Sequence, residues 1–354
     1  MANLKDVARR ADVDPLTASR VLRDDPSQQV RPETRERILA AARELRYRPN
    51  ALARGLRTRR TDTVGLIIPS LDNLGFADVT HGIQAAAAAA GKLVMVVEAE
   101  AVADAAPDAY QRLIGDGRLD GLIVAFATID DDLVAQLVER DIPLVLVNRR
   151  TNRVHGSVVV DDERGSRLAV EHLLSLGHRR VGFLGIDADT DTARRRHGGY
   201  DAAMAAAGIR VQPGWVAVGP PTEEGGRRAA REVLAMPEGR RPTGYFVASL
   251  MSAIGALAEL TGQGLRVPDD ASLVAFNDHP FAAHTAPPLT TVRMPNVRMG
   301  EEAVGMLLAA MAGEPARDLV IGDAPELVVR ESTAGPRPDH THAPPRPAGP
   351  PARP

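Results

Sequence analysis

The stretch LKDVARRADVDPLTASRVL, residues 4–22, decides how the rest of the chain is interpreted, because it predicts two short helices separated by a turn. An apolar stripe at i, i+3, i+4 and i+7 indicates the first helix and is formed by Leu4, Val7, Ala8 and Ala11. The letters DVD then interrupt this stripe. Asp14 and Pro15 are typical of a new helix start, since Asp caps backbone N–H groups and Pro suits the first helical position.

A third helix is predicted over RPETRERILAAARELRY, residues 31–47, with Pro32 near its start. Its inward side chains are expected to be Ile38, Leu39, Ala42 and Leu45. Asn3 is expected to cap the first helix, with Asp6 at its third position. Two short helices joined by a tight turn and followed by a packing helix form a helix-turn-helix unit.

The polar face of the second helix carries Thr17, Ser19 and Arg20, whereas Val21 and Leu22 are expected to face inward. In a helix-turn-helix unit, the second helix enters the major groove of DNA. Short hydroxyl groups can then contact phosphates or base edges, and an arginine can pair with guanine through two hydrogen bonds. The alternative is an ordinary amphipathic helix with a solvated polar face.

The distribution of charge bears on this choice. The chain has a formal net charge of −3, yet residues 1–60 contain 15 Lys and Arg against 8 Asp and Glu. The remainder contains 28 Lys and Arg against 38 Asp and Glu. A basic head on an acidic body is typical of a polyanion-binding module joined to a second function. Charge alone leaves a solvated, arginine-rich helical surface as an open alternative.

From Val64 onward, short apolar runs rich in β-formers alternate with helical segments. Near-continuous apolar strands separated by helices predict parallel sheets that are covered on both faces. We therefore expect an all-α helix-turn-helix domain followed by two doubly wound α/β lobes with a ligand cleft between them. The expected segments are a helix-turn-helix head (1–47), a linker (48–61), a two-lobed α/β domain (62–333) and a disordered Pro-rich tail (334–354).

Several classes of site are excluded or disfavoured by the sequence. The chain has no cysteine, so it has no disulfide and no thiolate chemistry. It lacks an N-terminal apolar run of signal-peptide length and any stretch near the roughly 20 apolar residues of a membrane helix. We expect a cytoplasmic protein that is not an enzyme, binds no membrane and needs no cofactor or metal. The histidines without metal-ligand spacing are His81, His155, His172 and His178.

The chain resembles the LacI family of transcriptional regulators. LKDVARRADVDPLTASRVL resembles that family's opening motif, and VRPETRERILAAARELRYRPNALARGLR resembles the helix and hinge that follow. Further motifs occur in the family's order, namely DGLIV, IPLVLVNRR, AVEHLLSLGHRRVGFLG, RRRHGGYDAAM and PPLTTVRMP. The resemblance runs from about residue 3 to residue 333. It implies a sequence-specific repressor that binds a palindromic operator in double-stranded DNA as a homodimer and is controlled allosterically by a small-molecule effector.

The resemblance also implies which residues contact DNA. Pro15, Leu16 and Arg20 occupy positions that read bases, and Thr17 and Ser19 would then hold phosphates. PNALARGL would form a hinge helix in which Leu56 wedges into the minor groove, although a leucine packed in a linker helix is the alternative. The full set of expected DNA contacts is Asn3, Pro15, Leu16, Thr17, Ser19, Arg20, Asn50, Arg54 and Leu56.

Three positions depart from the family pattern. Asp12 stands where the turn usually has Gly, and Asp14 stands where Ser is usual. Asp tolerates a left-handed turn better than most residues. Gly55 disfavours the hinge helix by up to about 1 kcal/mol relative to Ala.

Loops that follow strands are the expected ligand-binding positions in a two-lobed fold, since the cleft lies outside the carboxyl ends of the strands. By position in these loops or by resemblance, the expected effector contacts are Asn73, Phe76, Phe126, Asn148, Arg149, Thr192, Arg196, Ser249 and Asn277. Arg196 and an aromatic ring suit a polyhydroxylated ring or an anion.

Two of these positions, Asn148 and Asn277, are commonly Asp in sugar-binding members of the family. Fewer carboxylates beside Arg196 would favour an acidic or phosphorylated effector, and a neutral sugar is an equal alternative. Two other functions are alternatives. A two-lobed solute-binding protein without a DNA role is disfavoured by the basic helical head. A nucleotide-dependent enzyme is disfavoured because neither GxGxxG nor GxxxxGK[ST] follows a strand.

Overall fold

The computed structural model describes residues 2–22, 30–47, 60–99, 118–130, 132–139, 141–187 and 189–337. These residues fall into two compact units, Met1–Thr61 and Asp62–Pro354. Among the described residues, no helix combines the length and the apolar character that a membrane span requires.

The head contains three helices, α1 (Leu4–Arg10), α2 (Pro15–Val21) and α3 (Pro32–Glu44). Asn3 caps α1, and its side chain and that of Asp6 form the expected reciprocal capping box.

Asp14 caps α2 by accepting hydrogen bonds from Leu16 N (2.8 Å) and Thr17 N (3.0 Å). Asp12 adopts the left-handed conformation (φ 52°) that the turn between α1 and α2 requires. The caps predicted for α1 and α2, and the start of α2 at Pro15, therefore agree with the structure.

The core of the head is small and apolar. It consists of the buried side chains Val7, Ala8, Ala11, Ala18, Val21, Ile38, Ala41 and Ala42, with Leu4, Leu22 and Leu45 packed against them. The expectation that Leu39 faces inward was wrong, because its side chain is 39% exposed. Ala41 takes the inward position on α3 instead, three residues after Ile38, as helical periodicity allows.

The first lobe is built on a six-stranded parallel sheet with strand order β11-β5-β4-β3-β1-β2. Its strands are β1 (Thr63–Ile68), β2 (Leu93–Glu98), β3 (Leu122–Val124), β4 (Leu144–Val147), β5 (Ser157–Val159) and β11 (Asp318–Val320). Its helices are α4 (Ala77–Ala89), α5 (Asp132–Val138) and α10 (Asn296–Met311). The inner strands are apolar on both faces because helices cover both sides of the sheet.

The second lobe repeats this plan with strand order β12-β10-β9-β8-β6-β7, in which only β12 runs antiparallel to its neighbour. Its strands are β6 (Val181–Ile186), β7 (Val216–Gly219), β8 (Gly244–Val247), β9 (Ser272–Phe276), β10 (Thr290–Arg293) and β12 (Glu326–Val328). Its helices are α6 (Asp162–Ser175), α7 (Asp191–Ala206), α8 (Glu223–Leu234) and α9 (Leu250–Gly262). The predicted fold class, a helical head followed by two doubly wound lobes, is confirmed.

Within the described residues the chain passes between the two lobes at three points, from β5 to α6, from β10 to α10 and from β11 to β12. Each lobe is therefore completed by segments distant in sequence. The loops at the carboxyl ends of both sheets face a shared cleft, which is where doubly wound folds bind ligands.

The sequence did not predict β7, β10, β11 or β12. Strands β11 and β12 are three residues long and largely exposed at sheet edges, so they lack an apolar run. The start assigned to the Pro-rich tail was also too early. Ala334 exchanges hydrogen bonds with Ser272 in β9, and Arg337 pairs with Asp269 and Asp270. Residues 334–337 therefore lie against the second lobe, and the predicted disordered tail beyond residue 337 lies outside the described residues.

Candidate functional site

One cavity between the two lobes gathers residues from loops that are far apart in the sequence. Eight of the nine predicted effector contacts line it: Asn73, Phe76, Asn148, Arg149, Thr192, Arg196, Ser249 and Asn277. The ninth, Phe126, lines an adjoining outer space that shares Arg149, Ile186 and Pro221 with the cavity. We call the cavity and this outer space the effector cleft.

Local backbone chemistry explains why polar side chains occupy these loops. Asn148 and Asn277 follow β4 and β9 in the left-handed conformation, with φ values of 68° and 71°, which Asn tolerates better than most residues. Asn73 caps the short 3-10 helix Leu74–Phe76, and Ser249 caps α9. These side chains therefore stabilise their own loops as well as lining the cleft.

Arg196 is the most constrained side chain of the cleft. Its Nε donates to Asp162 Oδ1 at 2.7 Å, and its Nη1 donates to the carbonyl oxygen of Ala248 at 2.7 Å. Its guanidinium carbon lies 4.1 Å from the centre of the Phe276 ring, a cation–π contact. Burial lowers the pKa of Arg196, and the charge of Asp162 opposes this change. The guanidinium plane is therefore held in one orientation.

The carboxylate of Asp162 is a negative neighbour of Arg196 that the sequence analysis did not identify. Asp162 is fully buried and is shared by two guanidinium groups, since its Oδ2 accepts a short hydrogen bond from Arg195 while its Oδ1 binds Arg196. Asp162 was missed because it lies in the segment that crosses between the lobes rather than in a loop after a strand of the second sheet. The sequence does contain a run of acidic residues, DDE at 161–163, and a run of basic residues, RRR at 194–196, and these two runs could have indicated an ion pair.

Arg149 is directed toward the loop after β3. Its Nη1 donates to the carbonyl oxygens of Phe126 (2.6 Å) and Ala127 (3.3 Å). Sequence reasoning missed four further residues of the cavity wall, which are Gly75, Ile186, Pro221 and Asn296. Asn296 is tied to the site because its Nδ2 lies 3.3 Å from Asn277 Oδ1.

The cavity is narrow. Its free space is about 30 Å³, which is room for about two water molecules. The inner cavity alone is therefore too small for a ring-sized effector, which would need the adjoining outer space or a separation of the lobes.

The face of α2 that the sequence predicts to contact DNA is partly exposed. Pro15 and Leu16 are exposed, Leu16 to 51%, and Ser19 and Arg20 are half-buried. The Thr17 hydroxyl donates a short hydrogen bond to the carboxylate of Asp14. This bond and the one donated by the Thr17 N–H lower the pKa of the Asp14 carboxyl group. Thr17 can therefore donate to a phosphate only if it gives up this bond.

The remaining predicted DNA contacts divide into two groups. Asn3 is exposed, but its Oδ1 already accepts hydrogen bonds from Lys5 N (2.9 Å) and Asp6 N (3.1 Å). Its amide NH₂ is the part of the side chain that could reach a phosphate. Asn50, Arg54 and Leu56 lie outside the described residues. Within the described part of the chain, no group of three or more His, Asp and Glu is arranged to hold a metal ion.

Comparison with known protein families matches both parts of the chain. Residues 3–50 match the family of bacterial regulatory proteins known as the lacI family. Residues 170–333 match the periplasmic binding protein-like domain.

Curated relatives match over almost the whole chain. The HTH-type transcriptional repressor PurR of Photobacterium profundum is 33% identical over 334 residues, which cover 94% of this chain and 98% of that protein. The PurR repressor of Erwinia tasmaniensis is 33% identical over 344 residues, which cover 96% of this chain and 99% of that protein.

Solved structures have the same architecture. A LacI family transcriptional regulator from Mycobacterium smegmatis, 36% identical, has a TM-score of 0.72 and covers 77% of this chain and 100% of its own. The Lac repressor dimer bound to operator and the anti-inducer ONPF, 28% identical, has a TM-score of 0.80 and covers 94% of this chain and 99% of its own. The transcriptional regulator CelR in complex with cellobiose, 30% identical, has a TM-score of 0.69 and covers 94% of this chain and 100% of its own.

Proposed function

Because the chain belongs to the LacI family, it is a DNA-binding transcriptional regulator controlled by a small-molecule effector, and we propose that it acts as a repressor on a palindromic operator. The observation that carries this proposal is the match, over 94% of the chain, to a repressor dimer bound to its operator. A two-fold symmetric dimer suits two operator half-sites related by the same symmetry. The compartment we propose is the cytoplasm, where the DNA is.

The proposed operator contacts follow the exposed face of α2. Arg20 reads guanine, and Leu16, which is exposed, makes apolar contact with a base such as the methyl group of thymine. Pro15 accompanies Leu16 at the start of the helix, while Ser19, Thr17 and the amide of Asn3 contact phosphates.

The proposed connector is the segment PNALARGL, in which Asn50 and Arg54 bind DNA and Leu56 wedges between base pairs of the minor groove. It lies outside the described residues, so this part of the proposal rests on the family resemblance.

The proposed effector is a neutral, polyhydroxylated ring such as a sugar. The buried carboxylate of Asp162 pairs with Arg196, which weakens the reason to prefer an acidic effector. The cavity wall instead presents neutral groups that both donate and accept hydrogen bonds: Asn73, Asn148, Thr192, Ser249, Asn277 and Asn296. The CelR relative binds cellobiose, which is a molecule of this class.

The test begins with selection of genomic fragments that the purified protein retains. Fluorescence anisotropy then compares the selected fragment with a scrambled duplex over a range of salt concentrations, because phosphate contacts make DNA binding salt-dependent. A preference for the selected fragment is expected. Equal binding to both duplexes, or no binding to either, would reject the proposed operator function.

The second part of the test titrates neutral sugars and their phosphorylated counterparts into the protein–operator complex. A neutral sugar is expected to change operator affinity in the parent chain and in Arg194→Ala, which removes an exposed arginine of α7. The response should be lost in Arg196→Ala. A response to the phosphorylated compounds alone would show that the effector is acidic.

A further inference from the structure

Arg195 connects three segments of the two-lobed body although its position follows no strand. It lies on α7 of the second lobe, and its Nε donates to Asp191 Oδ2 at 2.9 Å on the same helix. Its Nη1 donates to Asp162 and to the carbonyl oxygen of Val160 at 2.8 Å, where the chain crosses between the lobes. Its Nη2 donates to the carbonyl oxygen of Asn148 at 3.0 Å in the first lobe.

The carbonyl oxygen of Asn148 is one point at which the first lobe is held; another is the N–H of Ile129, which donates to the carbonyl oxygen of Asp189 in the second lobe at 3.0 Å. The Asn148 oxygen accepts a hydrogen bond from Thr192 Oγ1 at 3.0 Å as well as the one from Arg195. A carbonyl oxygen has two lone pairs, so α7 of the second lobe supplies donors for both. These bonds join protein atoms directly and require nothing else in the cleft.

The two sets of contacts made by Arg195 respond differently to opening of the cleft. Its pairs with Asp191 and Asp162 lie within the second lobe and would survive a rigid-body separation. The bond to Asn148 would break. Arg195 would thus remain positioned on the second lobe, ready to form that bond again when the lobes close.

Arg195 suits such a bond because its side chain is 13% exposed and carries a compensated charge. Burial lowers the pKa of Arg195, but Asp162 and Asp191 outweigh this effect and raise the pKa, so the guanidinium stays charged. Hydrogen bonds from a charged donor are about twice as strong as neutral ones. The planar fork of donors also reaches several acceptors at once, which an ammonium group cannot do.

We propose that Arg195 is an interlobe latch, which holds the effector cleft closed through the Asn148 carbonyl oxygen before any effector has bound. The proposal rests on the proposed effector cleft between the lobes. An effector must then compete with protein–protein hydrogen bonds in order to enter, and the strength of the latch contributes to the concentration at which the regulator responds.

The test measures the separation of the lobes with no effector and no DNA present. The chain contains no cysteine, so Asp72→Cys in the first lobe and Glu224→Cys in the second introduce the only two labelling sites. Both residues are exposed, and each is close in sequence to a residue of the cavity wall, Asn73 and Pro221. Spin labels at these positions report the width of the cleft, and labelled chains are diluted with unlabelled chains so that each dimer carries one labelled pair.

The parent chain is expected to show mainly the short distance. Arg195→Leu should shift the ratio of closed to open molecules roughly tenfold or more toward the long distance, the factor that follows from losing one charge-assisted hydrogen bond. Arg194→Leu, an exposed arginine replaced on the same helix, should match the parent. Arg195→Lys keeps a positive charge beside Asp162 and should give a distance distribution between those of the parent and Arg195→Leu. If Arg195→Leu does not fold, Arg195→Lys provides the test in its place.

An unchanged distance distribution in both Arg195 variants would overturn the latch, as would a parent chain that is already mainly open. Because the measurement uses neither operator nor effector, either result would leave the proposed repressor function standing. Loss of operator preference in the anisotropy assay would conversely leave the latch intact.

Discussion

The head of residues 2–47 and the two-lobed body of residues 62–337 differ in whether any described charged side chain is buried. Among the described residues of the head, the buried side chains are all apolar. Its ion pair between Arg10 and Glu44 leaves the two side chains 58% and 55% exposed. In the body, the carboxylate of Asp162 and the guanidinium of Arg196 are both buried and paired.

This difference follows from the two ligands. A protein that binds DNA gains affinity when solvated cations replace counterions on the phosphates, so its charges must stay accessible. A cleft that recognises one small molecule needs donors and acceptors fixed in direction, and buried charges are tolerated there because each has a partner. We therefore expect substitutions of exposed charged residues in the head to change DNA binding with little effect on the free energy of unfolding. Substitutions in the buried cluster of Asp162, Arg195 and Arg196 should change both ligand binding and the free energy of unfolding.

The largest effect is expected for Asp162→Ala. This change leaves the guanidinium groups of Arg195 and Arg196 buried without their shared carboxylate, and removal of one partner from a buried ion pair costs about 3–5 kcal/mol. Urea denaturation of the whole chain measures the loss. The control is Glu163→Ala, which removes an exposed neighbouring carboxylate. Equal losses in the two variants would contradict the importance of the buried cluster.

Arg20→Ala is expected to abolish operator preference and leave folding intact. Loss of a bidentate contact to guanine should reduce discrimination by about 1–3 kcal/mol, or about 5- to 150-fold. A gel-shift assay with operator and random duplexes measures the preference. Arg9→Ala, which removes an exposed cation from α1, should weaken binding to both duplexes alike. Retained preference in Arg20→Ala would show that the head reads bases through other residues.

Leu56→Ala tests the proposed connector between the head and the two-lobed body. Removal of the wedge is expected to reduce the operator bend, because an inserted apolar side chain unstacks the base step and kinks the duplex. A circular-permutation assay measures the bend angle. Leu39→Ala, which removes an exposed leucine from α3, should leave the angle unchanged. The wedge assignment fails if the angle in Leu56→Ala equals that of the parent chain.

The smallest effect concerns pH and is confined to the body. Burial lowers the pKa of His178 below its usual value of 6.5, and the neutral ring lies 2.9 Å both from the Thr243 hydroxyl and from the Ala334 carbonyl oxygen. The unfolded chain therefore binds protons more readily than the folded chain. The contribution of the neutral His178 ring to the free energy of unfolding should be complete above pH 6.5. It should be lost as the pH is lowered through the pKa of His178 in the folded chain.

Replacement of His178 by Asn is expected to flatten this slope, as measured by denaturant unfolding between pH 7.5 and about pH 5. Burial also lowers the pKa of His172, so part of the slope should remain. Replacement of the exposed His81 by Gln is the control and should leave the slope unchanged. A slope that is identical in the parent and in His178→Asn would show that the ring titrates normally in the folded chain.

The sequence by itself determined what depends on neighbours along the chain. The caps Asn3 and Asp14 act within three residues of themselves, and apolar runs of four to six residues identify the inner strands without knowledge of their partners. Strand ends also predicted the loops that supply eight residues of the cavity. Local hydrogen bonding and periodicity decide these features, so a one-dimensional pattern is sufficient.

Only the tertiary structure decided what depends on the crossings between the lobes. Asp162 reaches Arg195 and Arg196 across more than 30 residues, Arg195 reaches the Asn148 carbonyl oxygen, and residues 334–337 complete the second lobe. The short edge strands β11 and β12 likewise exist because neighbouring strands supply their hydrogen-bond partners. A charge or a backbone carbonyl gains its role here from a partner that is near in space and distant in sequence, and no local pattern records that partner.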